Sequence, residues 1–211
     1  MEDFILVGLS YSIGDTPTVS RNRDYTPPKY KNKQQIASDK ANQALYGEVE
    51  RYRQYLANEV FPFIASQYRV DMRRKVFAGH SYGGVLGAHI LLTEPTMFSH
   101  YILGSPSLFY DHRSLFDKEQ EYAKSHKDLP AKVFMMIGGY ERRNPGSKNP
   151  RYNQEVDMVA DMLAWQKQLQ ARRYPNLEVR SKVLEDEDHL TVAPNIITRG
   201  LLWALPGKQA K

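Results

Sequence analysis

Apolar residues along the chain fall into two alternating patterns. Short continuous or alternating apolar runs predict strands at residues 4–11, 74–78, 100–104, 131–137 and 177–184. Apolar positions spaced by three and four predict helices at residues 40–67, 82–92, 152–173 and 196–205, the first kinked or ended by Pro62 near Phe61. Strands that alternate with helices predict an α/β fold, in which helices flank a mostly parallel sheet.

Two stretches depart from this alternation. Residues 12–39 are predicted to form a polar loop that is too long to be a passive connector. Residues 107–130 form a polar excursion that contains aromatic side chains. We find no internal repeat and no low-complexity linker. The length of 211 residues suits one domain with a sizeable core, so we expect a single domain over residues 1–211.

Composition narrows the class of protein. Hydrophobic residues make up 41% and charged residues 25%, which is typical of a globular chain. No apolar run approaches the roughly 20 residues that span a bilayer, and no signal peptide is visible, so we expect a cytoplasmic protein without a membrane partner. The net charge is +5, but the basic residues are mixed with acids, which argues against nucleic acid as a partner. Without cysteines there is no disulfide, thiolate metal site or cysteine nucleophile.

The segment Gly79-His80-Ser81-Tyr82-Gly83 matches the pattern G-x-S-x-G. It follows a predicted strand and opens a predicted helix, as a nucleophile elbow requires. In that arrangement the Ser81 hydroxyl projects above the sheet edge, and the backbone N–H of Tyr82 faces the developing oxyanion. The alternative is a glycine-rich turn with a buried serine. The context favours Ser81 as a nucleophile and Tyr82 as an oxyanion donor.

In hydrolases with such a nucleophile elbow, the acid follows the serine in the sequence and the histidine comes last. His189 follows the last predicted strand and precedes the closing helix, so it is the candidate base, the alternative being an exposed loop histidine. Glu141 follows the strand at residues 131–137 and is the candidate acid, which would fix the histidine tautomer. The alternative is a surface glutamate paired with Arg142 or Arg143.

Other carboxylates could also serve as the acid. Asp157 is the second candidate. Asp186 and Asp188 lie beside His189 in the sequence and could serve if the enzyme works as a serine–histidine pair with a local acid. The residues alone leave these alternatives open.

Four segments occur in order along the chain: NRDYTP at residues 22–27, GHSYGG at 79–84, GGYE at 138–141 and EDH at 187–189. Together they resemble the esterase family related to esterase D, most closely its siderophore (enterobactin-type) esterases. The resemblance implies an α/β-hydrolase fold and a serine esterase that needs neither metal nor cofactor. It places the nucleophile on Ser81 and the base on His189. It supports Glu141 less strongly, because some relatives lack a well-placed acid.

The family has more sheet before the segment that residues 4–11 resemble. That part includes a strand beside the nucleophile strand and a loop that donates the second oxyanion N–H. The fold is therefore expected to be N-terminally shortened. Three outcomes are open. Residues 4–11 could shift to pair beside residues 74–78, with a donor near Tyr11 or Ser12, a second copy could complete the sheet, or the region could stay open and leave the protein marginally stable. The second outcome, a homo-oligomer, is favoured because an apolar strand edge is a template for pairing.

The predicted function is hydrolysis of a small-molecule carboxylic ester. The alternatives are a non-enzymatic binding protein disabled by loss of the oxyanion loop, and an acyltransferase, which uses the same covalent intermediate. Phe109, Tyr110 and Phe116 could cover an aromatic acyl group. Basic residues could attract an anionic ester such as a ferric catecholate, or could form a solvated basic surface. The candidates are Arg23, Arg142 and Arg143, with Arg21, Lys148 and Arg151 near them in sequence.

Overall fold

The computed structural model describes residues 1–28 and 46–207. Its chain divides into two compact units, one of residues 3–75 and one from Val76 onward that also includes Met1 and Glu2. No helix in the described part of the chain is long and apolar enough to cross a membrane.

The first unit is helical. Helix α1 (Pro17–Tyr25) begins after Thr16, whose side chain accepts a hydrogen bond from the Val19 backbone N–H. Helix α2 (Val49–Tyr55) leads through a π-helical segment (Leu56–Val60) into α3 (Phe61–Gln67). The interpretation of residues 12–39 as a polar loop is therefore wrong over α1, and residues 29–39 lie outside the described residues.

The predicted helix at residues 40–67 is present from Val49, while residues 40–45 lie outside the described residues. It does not end near Phe61. Pro62 lacks a backbone N–H, and its ring would clash with the carbonyl four residues earlier in a regular α-helix. The π-helical segment ends at Val60, and Pro62 is the second residue of α3, a position where proline is tolerated because its missing N–H would have no partner in the first turn, so the helix continues to Gln67.

Residues 4–11 do not form the predicted strand. They have no regular secondary structure, and their apolar side chains are exposed, with Leu6 75% exposed. The prediction that they pair beside the nucleophile strand is wrong. A continuous apolar run indicates a buried strand only when a partner strand is available, and the run itself does not specify that partner.

The second unit contains a parallel sheet. Its strands are β1 (Val76–His80), β2 (His100–Gly104), β3 (Ala131–Gly138) and β4 (Leu177–Leu184). Within the described residues these four strands pair in the order β1-β2-β3-β4, every pair parallel. The predicted parallel α/β sheet is confirmed, and the carboxyl ends of all four strands lie at one edge.

Of the described helices, three pack on the faces of this sheet: α4 (Tyr82–Leu91), α6 (Met158–Ala171) and α7 (Ala193–Ala204). A further helix, α5 (Tyr110–Ser125), packs on α4 and α6. Neighbouring residues of β2 point to opposite faces. A Cβ at Gly87 of α4 would lie 2.5 Å from Leu103, and a Cβ at Gly200 of α7 would lie 2.4 Å from Ile102. The two helices therefore approach opposite faces of β2, each at a glycine.

The polar excursion at residues 107–130 contains a helix, α5, which the sequence pattern did not indicate. Its Glu119 is fully buried and accepts hydrogen bonds from Arg172 and Gln168. Helix α6 begins at Met158, six residues after the predicted start, because Asp157 caps it by accepting from the Ala160 N–H. The intervening residues form a loop at the carboxyl edge of the sheet.

Candidate active site

Ser81 lies in the turn between β1 and α4. Its φ of 59° and ψ of −119° are strained for a residue with a side chain, as expected for a nucleophile elbow. Close packing explains the glycine before it. A Cβ at Gly79 would lie 2.3 Å from the Gly83 carbonyl oxygen. By contrast, a Cβ at Gly83 would meet nothing within 4 Å, so packing alone does not require the second glycine of the pattern.

The Ser81 hydroxyl points into a cavity beside the loop that follows β2. Its Oγ lies 3.4 Å from the Ser107 Oγ, and the Ser107 N–H donates to the Ser81 carbonyl at 3.4 Å. Tyr82 is the first residue of α4. The helix N-terminus carries a partial positive charge, so an oxyanion formed at Ser81 would be favoured there.

His189 and Glu141 form a close pair. The His189 Nδ1 and the Glu141 Oε2 lie 2.6 Å apart. Because an ionised carboxylate can only accept, the proton in this bond belongs to Nδ1, which leaves Nε2 as an acceptor. Glu141 is buried, and its Oε1 accepts from the Ser105 hydroxyl at 2.6 Å and from the Gly138 N–H at 2.9 Å. The carboxylate is thus held by three donors.

Ser81 and His189 line one cavity of about 570 Å³. Within the described residues, Ser81 has no hydrogen bond to His189, and its hydroxyl faces Ser107 instead. Hydrogen bonds between nucleophile and base are often long until substrate binds. The His80 ring packs against the His189 ring with centroids 4.6 Å apart, so the residue before the nucleophile supports the imidazole.

The other candidate acids have different neighbours. Asp157 caps α6. Asp188 folds the turn that carries His189, because its Oδ1 accepts from the Leu190 and Thr191 N–H groups at 3.0 Å. Those backbone bonds, chiefly the one from Thr191, together with the Arg151 guanidinium lower the pKa of Asp188 to about 2. Asp186 contributes its backbone carbonyl oxygen, which accepts from Arg151.

The three arginines proposed to bind substrate are placed differently. In the first unit, the Arg23 guanidinium bonds to Asp15 at 2.7 Å and to Asp24 at 2.8 Å, and these partners raise its pKa. Arg142 pairs with Glu185, which raises the pKa of Arg142. The Arg143 side chain is exposed. Neither Arg142 nor Arg143 is among the described residues that line the cavity.

The cavity walls combine apolar and polar side chains. Those that surround Ser81 and His189 are Tyr82, Ser107, Phe109, Tyr140, Glu141, Pro150, Arg151, Asn153, Met158, Asp188 and Leu190. Two serines near the acid and the nucleophile were missed in the sequence, namely Ser105 and Ser107. They follow β2, whose carboxyl end lies between those of β1 and β3, and that position was the available signal.

Comparison with known proteins places this site in context. A family model described as "Putative esterase" matches residues 15–192. The ferri-bacillibactin esterase BesA of Bacillus subtilis is 25% identical, over 95% of this chain and 67% of the relative. The siderophore enterobactin esterase of Emericella nidulans is 23% identical, over 94% of this chain and 71% of the relative.

A solved structure has the same fold. The IroE-like serine hydrolase from Shewanella oneidensis superposes with a TM-score of 0.66 at 25% identity, covering 86% of this chain and 55% of that one. The chain thus spans about two thirds of the two sequence relatives and about half of this structural one.

Proposed function

Since this chain belongs to that esterase family, we propose that it is a serine hydrolase that cleaves carboxylic esters, with Ser81 as nucleophile, His189 as base and Glu141 as the orienting acid. The observation that carries the proposal is the strained Ser81 elbow, which opens into the same cavity as His189 and the buried Glu141 that pairs with it.

The reaction proceeds in two halves. The Ser81 Oγ attacks the ester carbonyl carbon while the His189 Nε2 accepts the hydroxyl proton. The tetrahedral intermediate collapses, the bond to the alcohol oxygen breaks, and His189 returns the proton to the leaving alkoxide. Water then attacks the acyl-enzyme by the same proton route and releases the carboxylic acid. Glu141 accepts from Nδ1 throughout and stabilises the imidazolium.

The oxyanion forms beside the N-terminus of α4. The Tyr82 N–H is the proposed donor, because the residue after the nucleophile supplies one donor in this class of elbow. One such donor contributes about 2.7–4 kcal/mol of transition-state stabilisation. The cluster of Ser105, Gly138 and His189 around the Glu141 carboxylate supports the acid assignment.

The side chains that line the cavity are suited to bind an aromatic or apolar acyl group. Phe109, Met158 and Leu190 provide apolar surface, while Tyr82 and Tyr140 provide flat ring faces. The two sequence relatives are named as siderophore esterases or as an esterase of a ferri-siderophore. We therefore propose a siderophore ester, or another ester with an aromatic acyl group, as the substrate class.

Covalent labelling combined with turnover tests the proposal. A fluorophosphonate should modify the peptide that contains Ser81, and a p-nitrophenyl ester should be hydrolysed. Ser81→Ala should remove both, with a loss on the order of 10⁴-fold or more in kcat while the fold is kept. Ser107→Ala is the matched control, because it removes the neighbouring hydroxyl but leaves the nucleophile to be labelled.

The outcomes separate the competing functions. Turnover retained by a folded Ser81→Ala protein would exclude the mechanism. A wild-type protein that neither reacts with the fluorophosphonate nor hydrolyses esters would favour a binding protein. Products of acyl transfer that exceed hydrolysis when an alcohol is added would favour an acyltransferase.

A further inference from the structure

Arg151 lies in the acid-bearing loop, residues 139–157 between β3 and α6. Beside the Glu141–His189 bond, its side chain adds another link from this loop to the base-bearing turn, residues 186–191. The Arg151 Nε donates to the Asp188 Oδ2 at 2.7 Å. Its Nη2 donates to the Asp186 carbonyl at 3.0 Å and to the Thr191 Oγ1 at 3.3 Å. One guanidinium therefore contacts the turn at three residues that surround His189.

Tyr140, in the acid-bearing loop, packs its ring against the Arg151 guanidinium. The Arg151 Cζ lies 4.2 Å from the centre of the Tyr140 ring, within the range of a cation–π contact. Tyr140 precedes Glu141, and its N–H donates to the Glu187 carbonyl at 3.0 Å. Arg151 thus links the backbone around the acid with the backbone around the base.

The turn depends on the residue that Arg151 holds. The Asp188 Oδ1 accepts from the Leu190 and Thr191 N–H groups, while the Thr191 hydroxyl accepts from the Asp188 N–H at 3.0 Å. Arg151 occupies the second carboxylate oxygen of the same aspartate. Losing the cation would leave this carboxylate without its ionic partner next to His189.

The bonds within the protein use three of the five guanidinium N–H groups of Arg151, those on Nε and Nη2. One ring face covers the guanidinium. The bonds to Asp188 raise the pKa of Arg151, so the cation is already neutralised by a carboxylate. A substrate anion that took the Nε donor would have to displace Asp188, which also holds the turn.

We propose that Arg151 is a positioning residue for His189, which holds the 186–191 turn at the place from which His189 can take the Ser81 proton, and that it does not bind the substrate. This inference rests on the proposed function. Among the described residues no hydrogen bond joins Ser81 to His189. The separation of these two side chains is therefore set by the backbone that carries His189, which Arg151 holds. A displacement of about 1 Å at such a site can cost on the order of 100-fold in rate.

The test compares Arg151→Gln and Arg151→Lys on a neutral and an anionic aryl ester. We expect Arg151→Gln to lower kcat roughly 10- to 100-fold on both esters, with KM changed less than about 2-fold. Arg151→Lys should restore part of the loss, because a lysine keeps the charge but not the fork of donors. Arg180→Gln is the matched control, since Arg180 forms an exposed ion pair with Glu178 on β4, at 2.6 Å.

A double-mutant cycle shows whether Arg151 acts through the turn. Arg151→Gln combined with Asp188→Asn should lose no more kcat than the worse single variant, because both changes break one link. Additive losses would overturn the inference. So would a KM increase confined to the anionic ester, an unchanged kcat, or a kcat loss that merely follows the unfolded fraction measured by circular dichroism.

Failure of this inference differs from failure of the proposed function. If the wild-type protein is not labelled by the fluorophosphonate, the esterase proposal fails, and with it this one. If labelling and turnover require Ser81 but Arg151→Gln matches the wild type, only the role of Arg151 is refuted. If Arg151→Gln does not fold, the kcat of the folded Arg151→Lys protein is the test. A kcat equal to that of the wild type would refute the role of Arg151.

Discussion

Glu141→Gln is the substitution that tests the acid most directly. The Oε1 of Glu141 accepts from the Gly138 N–H at 2.9 Å, and this donor is a backbone group that cannot become an acceptor. The glutamine carbonyl oxygen must therefore take the Oε1 position. Its NH₂ group then faces the His189 Nδ1, at the 2.6 Å site where the carboxylate now accepts.

That geometry forces the wrong histidine tautomer. An NH₂ group that donates to Nδ1 leaves the proton on Nε2, which then cannot accept the Ser81 proton. Removing the acid of a serine triad by such an isosteric change lowers kcat by about 10⁴-fold. Here we expect about 10³- to 10⁴-fold, or roughly 4–5.5 kcal/mol in the activation barrier. The bonds to Gly138 and Ser105 survive, so stability should fall only by about 1–2 kcal/mol.

The assay is hydrolysis of a neutral p-nitrophenyl ester, with thermal unfolding measured on the same samples. Glu141→Ala should lose more stability than Glu141→Gln, because it leaves the Gly138 N–H without an acceptor. It should lose less activity, because no side chain then forces the proton of His189 onto Nε2. Asp157→Asn is the control, since asparagine also caps α6 well. A Glu141→Gln enzyme within about threefold of the wild type would refute the assignment of Glu141, and a severe loss in Asp157→Asn would point to the other acid.

Three further predictions concern the surroundings of the site. A Cβ at Gly138 would lie 2.4 Å from the Glu187 carbonyl oxygen, so Gly138→Ala should move the base-bearing turn and lower kcat on the order of 100-fold. The control is Gly146→Ala, whose Cβ would meet nothing within 4 Å and which should be neutral in the same ester assay. Arg143 does not line the cavity among the described residues, so it would act on an anionic ester only by long-range attraction. Arg143→Gln should then raise KM for an anionic ester and not for a neutral one, and added salt should abolish that difference by screening an exposed charge. The depressed pKa of Asp188, about 2, stabilises the folded state above about pH 4 and loses this effect as pH falls towards 2, so the melting-temperature difference between the wild type and Asp188→Asn should shrink over that range.

Much of the sheet and of the site geometry follows from the sequence. The strands at residues 100–104 and 177–184 match β2 and β4, because their apolar patterns are bounded by turns on both sides. The positions of Ser81, Glu141 and His189 follow from topology, since each lies in the loop or turn that follows a strand of one parallel sheet, and the carboxyl ends of those strands meet at one edge. Their catalytic roles remain predictions.

What the sequence did not reveal depends on contacts between distant residues. The polar residues of α5 gave no apolar stripe, yet Glu119 is buried because Arg172, more than fifty positions away, pairs with it. The arginines after Glu141 looked like a basic surface, whereas Arg142 and Arg151 each have a carboxylate partner near the base. Pairing of this kind is set by the tertiary fold, so a count of charges cannot predict it.

The nucleophile strand also bears on assembly. Among the described residues β1 pairs only with β2, so it forms one edge of the sheet, and residues 4–11 do not extend that sheet. Strand edges are templates for pairing, which is why we still expect a second copy to add beside β1. If the added strand placed a backbone N–H beside the elbow, it would supply one more oxyanion donor, which contributes about 2.7–4 kcal/mol to the transition state. Light scattering over a range of concentrations, read together with the specific activity of each sample, checks this. We expect twice the mass of the chain and an activity that falls on dilution, whereas a monomer with the same activity at every concentration would show that the sheet edge does not depend on a second copy.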